Sequence, residues 1–202
     1  MKRSIVNNTA VLILLLFPWQ VMAQDVPGQL NQAASAYGTG DLQGTRTALQ
    51  EALNEINQVI GKEILDLLPA TLAGMEKVAA QDNVTGANLG FAGLFVSRFY
   101  GSTDKNASIE LVSDSPLMAG INALLSLPVF LNKDPNQKRI TVKGYKALLT
   151  RSADEAGNMS YDIQLPAGNS LLTFKCTGIP EENAVTGMIN SLPLEEIMKK
   201  AQ

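Results

Sequence analysis

The chain has 202 residues, with 16 basic and 19 acidic side chains, one cysteine, one tryptophan and no histidine. The lack of histidine excludes Ser-His-Asp and Cys-His catalysis, histidine-bearing zinc sites and imidazole pH switches. The net charge of −3 argues against a dedicated nucleic-acid-binding protein, because such proteins carry clustered basic side chains that replace phosphate counterions.

The first 23 residues have the three parts of a secretory signal peptide. Lys2 and Arg3 form a basic start, an uncharged apolar run follows at 10–17, and Val21-Met22-Ala23 supplies compact residues before a cleavage site after Ala23. The apolar run is too short to span a bilayer. We therefore expect an exported, periplasmic protein with no transmembrane segment after cleavage. It is not expected to be a lipoprotein, because no cysteine follows the cleavage site.

Removal of residues 1–23 would leave 179 residues with a charge of −5 and no tryptophan. That length is typical of a single domain. Cys176 is the only cysteine, so no intramolecular disulfide can form. Its alternation with Leu172 and Phe174 on a predicted strand favours a buried thiol over a reactive one.

The mature chain starts with a helical region. The polar segment 24–40 is predicted to be flexible, with some helix at 29–37. From Asp41 to Leu68, apolar residues recur at three-, four- and seven-residue steps, which predicts a long amphipathic helix that ends before Pro69. Its apolar stripe comprises Leu42, Leu49, Leu53, Ile56, Ile60, Ile64 and Leu67. This stripe could also line a coiled coil, but Gly44 and Gly61 favour packing on a sheet.

Strand and helix patterns alternate after Pro69. Period-two patterns predict strands at 91–100 and 107–113, with a further strand within 76–84 as an option. Ser115 and Pro116 are typical of a helix N-cap and first turn, and they begin a second helix.

Three more strands are predicted, at 139–150, 159–165 and 170–176, and a last helix from Pro180. This order predicts an α+β domain over 41–202. Its sheet is mainly antiparallel with about 5–6 strands, and the long N-terminal helix and two further helices pack on it.

No motif indicates catalytic, cofactor-binding or metal-binding residues. The glycines of 86–93 lead into a strand rather than a helix, so they do not form a phosphate cradle. Ser115 beside Asp114 has no base to activate it and is better explained as a helix cap. The adjacent acids Glu181-Glu182 and Glu195-Glu196 point in different directions on a helix.

Two regions are candidate partner contacts. Arg98 and Tyr100 share a strand face and could receive an anionic or aromatic group, although a structural role for Arg98, bonded to a carboxylate such as that of Asp114, is favoured. The segment 115–131 carries no charge, and the end of it could form an exposed apolar lip rather than core. That lip consists of Leu127, Val129, Phe130 and Leu131.

From Ala36 onward, the chain resembles a family of uncharacterised exported proteobacterial proteins. The resemblance implies an exported α+β domain and supplies no activity and no site residues. Members often have a tryptophan where this chain has Met75. More remotely, the order of elements is similar to PsbP-like sandwiches, which implies a fold only. The motifs that carry the resemblance are Ala36-Tyr37, Gly40-Asp41-Leu42, Leu67-Leu68-Pro69, Leu72-Ala73-Gly74, Ser97-Arg98-Phe99-Tyr100, Ser113-Asp114-Ser115-Pro116 and Gly144-Tyr145-Lys146-Ala147.

These observations favour a non-catalytic binding or interaction protein of the cell envelope, with no cofactor. Its partner is expected to be an envelope protein or a hydrophobic ligand. One alternative is a carboxylate- or metal-dependent envelope hydrolase, which requires acids that converge in a pocket. Another is a carrier of lipid or another hydrophobic ligand, which requires an apolar cavity.

Overall fold

Two helices open the part of the chain that the computed structural model describes, namely residues 25–85, 93–126, 134–153 and 157–202. Helix α1 (Val26–Gly38) starts after Asp25, whose carboxylate accepts a hydrogen bond from the Gly28 N–H at 2.9 Å. Helix α2 (Leu42–Leu67) starts after Asp41, which accepts from the Gly44 N–H in the same way. Both carboxylates pair amide groups that a helix start would otherwise leave unpaired.

The predicted long helix agrees with α2 to within one residue at each end. Within the segment 24–40, where the sequence predicts some helix at 29–37, α1 covers those residues and extends beyond them at both ends, and it packs on α2 as a helical hairpin. The predicted signal peptide at 1–23 lies outside the described residues.

The described residues beyond α2 form nine strands, a 3-10 turn at Ala79–Gln81 and three further helices. The strands are β1 (Thr71–Leu72), β2 (Met75–Glu76), β3 (Asn83–Thr85), β4 (Phe95–Gly101), β5 (Asn106–Ser113), β6 (Gln137–Val142), β7 (Tyr145–Ala153), β8 (Met159–Ala167) and β9 (Ser170–Thr177). The helices are α3 (Met118–Ser126), α4 (Glu182–Ser191) and α5 (Leu194–Lys200).

Seven strands form one antiparallel sheet in the order β3-β4-β5-β9-β8-β7-β6, and β1 and β2 form a separate hairpin. The α+β class and the antiparallel sheet are therefore confirmed, although the main sheet exceeds the expected five or six strands. One reason is that 139–150 is not a single strand. Lys143 (φ 45°) and Gly144 (φ 87°) form a tight turn between β6 and β7, with the left-handed backbone that two-residue hairpins favour.

The main core lies between one face of the sheet and helices α2, α4 and α5. Inward side chains such as Leu111, Ile163 and Phe174 alternate along the strands with polar ones on the other face. Helix α3 covers part of that second face, where Ile121 and Leu125 pack on Leu148 and Leu171. Within the described ranges, no helix is both long and apolar enough to cross a membrane.

Candidate functional site

Arg98 on β4 is a buried structural residue at the end of α2. Its side chain is 4% exposed. The Nε and Nη2 groups donate to the two carboxylate oxygens of Asp82 at 2.9 and 2.6 Å, and Nη1 donates to the carbonyl oxygens of Leu65 and Leu68 at 2.8 and 3.0 Å. The ion pair with Asp82 raises the pKa of the guanidinium. A positive charge at the carboxyl end of a helix also complements the helix dipole.

Tyr100 completes this anchor. Its side chain is fully buried, and its hydroxyl donates to the Pro69 carbonyl oxygen at 2.9 Å. Burial raises the pKa of the phenol to about 12, so the hydroxyl stays a donor at any physiological pH. The structure thus gives Arg98 and Tyr100, predicted as partner contacts, a role within the fold. The carboxylate that pairs with Arg98 belongs to Asp82, whereas Asp114 accepts from Asn169.

The other predicted contact residues, Leu127, Val129, Phe130 and Leu131, lie outside the described residues. The described start of their segment is divided between core and surface. Ser115 is buried, and its hydroxyl accepts from the Leu117 N–H at 3.3 Å in the turn that precedes α3, which starts at Met118 and not at Pro116 as predicted. Leu117 is 59% exposed, while Ile121 and Leu125 are buried on the side of α3 that packs on the sheet.

The α1–α2 hairpin carries the main exposed apolar surface in the described part of the chain. Among the described residues, eight large apolar side chains are exposed, and all except Leu117 belong to this hairpin. Six of them make up what we call the hairpin face. These are Leu30 and Tyr37 on α1 and Leu42, Leu49, Leu53 and Ile56 on α2, with Val59 at its margin.

Helical geometry explains why these side chains lie on one side of the hairpin. Small residues, Ala33 on α1 with Ala48 and Ala52 on α2, are buried where the two helices meet. In two antiparallel helices, residues displaced in the same rotational sense from that contact line lie on the same side of the pair. This holds for Leu30 and Tyr37 on α1 and for the leucine stripe on α2.

The hairpin face ends in a cleft where α2 meets the sheet. The cleft has a volume of about 280 Å³, and Leu53 lines it together with Ile60, Leu94 and Asp114. Asn57 donates a hydrogen bond to the Gly93 carbonyl oxygen beside it. The exposed apolar stripe of α2 is therefore continuous with the domain core, which begins at Ile60 and Ile64.

A larger groove of about 760 Å³ lies between the β6–β7 turn and α5. It is lined by Lys143, Tyr145, Glu195, Glu196 and Lys199 and so has a mixed-charge rim. The Lys143 ammonium is already engaged, since it donates to the Leu192 carbonyl oxygen at 2.7 Å. Four of its lining side chains are charged, so the groove differs from the apolar cavity expected of a lipid carrier.

Two acids, Glu110 and Asp162, lie near Lys175 on the second face of the sheet, which α3 covers in part. Lys175 pairs with Glu110 at 3.3 Å and stands directly across from Asp162, whose pKa is raised by burial. These side chains line none of the clefts described above. In the described residues, no group of three or more Cys, Asp or Glu side chains is placed to hold a metal ion.

No protein-family model matches the sequence, and no curated protein is similar to it. The resemblance to exported proteobacterial proteins and to PsbP-like sandwiches therefore stays a prediction.

Proposed function

We propose that the protein is an exported binding protein of the cell envelope that docks an α-helical segment on its hairpin face. The observation that carries this proposal is the concentration of exposed large apolar side chains on α1 and α2. Single apolar side chains scattered over a surface are common in any protein, whereas a contiguous apolar surface of this kind is typical of protein contact sites.

The form of the surface favours a helix as the bound element. Leu49, Leu53 and Ile56 follow one another at steps of four and three residues along α2, and this spacing matches the ridge of an approaching helix. A lipid surface is less suitable. Residues 25–56, which carry the hairpin face, contain four acids, at Asp25, Asp41, Glu51 and Glu55, against the single basic Arg46, and anionic headgroups would repel this surface.

The test compares three forms of the protein as bait for proteins extracted from the cell envelope. The wild type is set beside Leu49→Asp/Leu53→Asp, which places charge on the hairpin face, and Thr47→Asp/Gln58→Asp, which adds the same charge at exposed positions on the opposite side of α2. Quantitative mass spectrometry should find partners retained by the wild type and by the control but lost from the face variant. An identical set of proteins on all three baits would refute the proposal.

A further inference from the structure

We propose that the occupant of the hairpin face is a second copy of this chain, and that two hairpins join as an antiparallel four-helix bundle. This inference rests on the proposed function, because it names the partner for the same face.

The exposed stripe of α2 has the spacing of a coiled-coil seam. Leu42, Leu49 and Ile56 occupy the d positions of a heptad, while Arg46, Leu53 and Ile60 occupy the a positions. Ile60 is the one member that is not exposed, because it is half-buried and also packs against the domain core. Five of these six residues are large and apolar. Arg46 can lay its aliphatic stem along the seam and keep its charge in water.

This seam is complementary to itself in a single antiparallel register. With a two-fold axis at residue 51, Leu49 of one copy faces Leu53 of the other, Leu42 faces Ile60, and Arg46 faces Ile56. Every a position then meets a d position, as antiparallel helix pairs require. A two-fold contact of this kind repeats the same pairs twice and closes on itself.

The flanks of the seam do not oppose this self-association. The e positions are Gln43, Gln50 and Asn57, and the g positions are Thr45, Ala52 and Val59. None of them is charged, so two copies meet without like-charge repulsion. The same flanks carry no charge pattern that would select a different helix. The acids of α2 within residues 42–60, Glu51 and Glu55, stand at f and c positions away from the partner.

The position of helix α1 favours a second hairpin, rather than a single incoming helix, as the occupant of the hairpin face. It packs on the g side of α2 through Ala33, and it turns Leu30 and Tyr37 toward the same side as the seam. A single incoming helix would leave these two side chains partly uncovered. Two hairpins related by the two-fold axis bring both α1 helices together beside the α2 pair, which is the layout of an antiparallel four-helix bundle.

The test is the mass of the purified protein in solution, with the chain taken from Gln24 so that it includes every described residue. Sedimentation at tens of micromolar should show a dimer for the wild type and for Thr47→Asp/Gln58→Asp. Leu49→Asp/Leu53→Asp should be a folded monomer, with the dimer weakened by more than about 100-fold. The reason is that each copy would bury two charges without partners in the seam. Circular dichroism confirms that this variant keeps its helices.

A cysteine crosslink tests the register. Gln50 lies beside Gln50 of the other copy only when the helices are antiparallel, so Gln50→Cys should form a disulfide-linked dimer under mild oxidation. The wild type provides the background, because Cys176 is buried and its thiol pKa is raised to about 11 by that burial.

A wild-type monomer, or a dimer that the face variant leaves intact, would overturn the inference. If the monomer still captured an envelope protein through Leu49 and Leu53, only the identity of the partner would be wrong; if it captured nothing, the proposed function would fail as well.

Discussion

The two halves of α2 have the same apolar pattern but different surroundings. In residues 57–67, here called the docked half, Ile64 is buried against the sheet and Gly61 lets the helix approach Val84 without a side chain between them. In residues 42–56, the free half, the same stripe continues through leucines that are exposed. The difference shows that an amphipathic stripe specifies a helix and an apolar face, while the length of the sheet decides how much of that face becomes core.

Polar anchors also separate the halves. The docked half ends at Arg98 and Tyr100, which hold the carbonyl groups of Leu65, Leu68 and Pro69. The free half contacts the rest of the molecule mainly through α1, where alanines meet. Stability should therefore be concentrated at the carboxyl end of α2, and binding at its amino end.

The largest effect is expected from Arg98→Met. This substitution leaves the Asp82 carboxylate and two helix carbonyl groups without their donor, so the free energy of unfolding should fall by about 3–4 kcal/mol. Urea titration followed by circular dichroism measures it. Arg46→Met is the matched control on the free half. Measured at a dilution where the protein is a single copy, because Arg46 lies in the proposed seam, it should change stability by less than about 0.5 kcal/mol. Equal losses in the two variants would remove the distinction between the halves.

A comparable contrast is expected for apolar truncation along the stripe. Ile64→Ala creates a cavity in the core and should cost about 3 kcal/mol. Leu53→Ala removes a side chain that is 58% exposed and should cost less than about 0.5 kcal/mol when the protein is diluted to a single copy. Thermal or chemical unfolding at low concentration checks both values. A large loss from Leu53→Ala under these conditions would mean that the free half has a partner within the same chain.

Tyr100→Phe should cost about 1 kcal/mol at pH 7, because the Pro69 carbonyl oxygen loses its hydrogen bond. The sign of the pH dependence follows from burial, which raises the folded-state pKa to about 12 from 10. The wild type keeps the contribution of the neutral phenol below pH 10 and loses it as the pH rises from 10 through 12. The advantage of the wild type over the variant should therefore shrink in that window. A difference independent of pH would show that Tyr100 titrates normally.

The smallest effect is expected from Lys200→Met. The ammonium of Lys200 lies 2.6 Å from the Glu63 carboxylate and links α5 to α2, but both side chains are well exposed. Solvent screening limits such a pair to a few tenths of a kcal/mol. Unfolding in low and high salt should give nearly the same small difference for the variant. A loss above about 1 kcal/mol would show that α5 helps to hold the docked half in place.

The sequence was sufficient for the helical periods and for most strands, because those patterns depend on local alternation. It predicted α2 within one residue at each end, and it predicted that Cys176 is buried. It missed the turn at Lys143 and Gly144, because Lys143 is an unusual residue for a left-handed backbone conformation. It predicted only part of α1, at 29–37, because the single buried side chain of that helix, Ala33, leaves almost no periodic signal.

The candidate site was harder to predict, because exposure depends on contacts between distant residues. Nothing near Arg98 in the sequence indicates that its carboxylate partner is Asp82 and that both stand under the end of α2. A signal for the hairpin face did exist. A helix of 26 residues is about 39 Å long, whereas strand β4, which it contacts, spans about 23 Å with its seven residues, so the stripe is longer than that strand.

The contact at Gly61 has a consequence for the architecture of variants and relatives. A Cβ atom at this position would meet Val84, so the glycine sets where along its axis α2 can rest on the sheet. The length of the protruding hairpin is then set by the number of residues that precede Gly61 in α2. Insertions on the amino-terminal side of Gly61 would lengthen or rotate the arm and leave the domain intact, which makes the arm an exchangeable module. Insertions on the carboxyl side would displace the anchor itself.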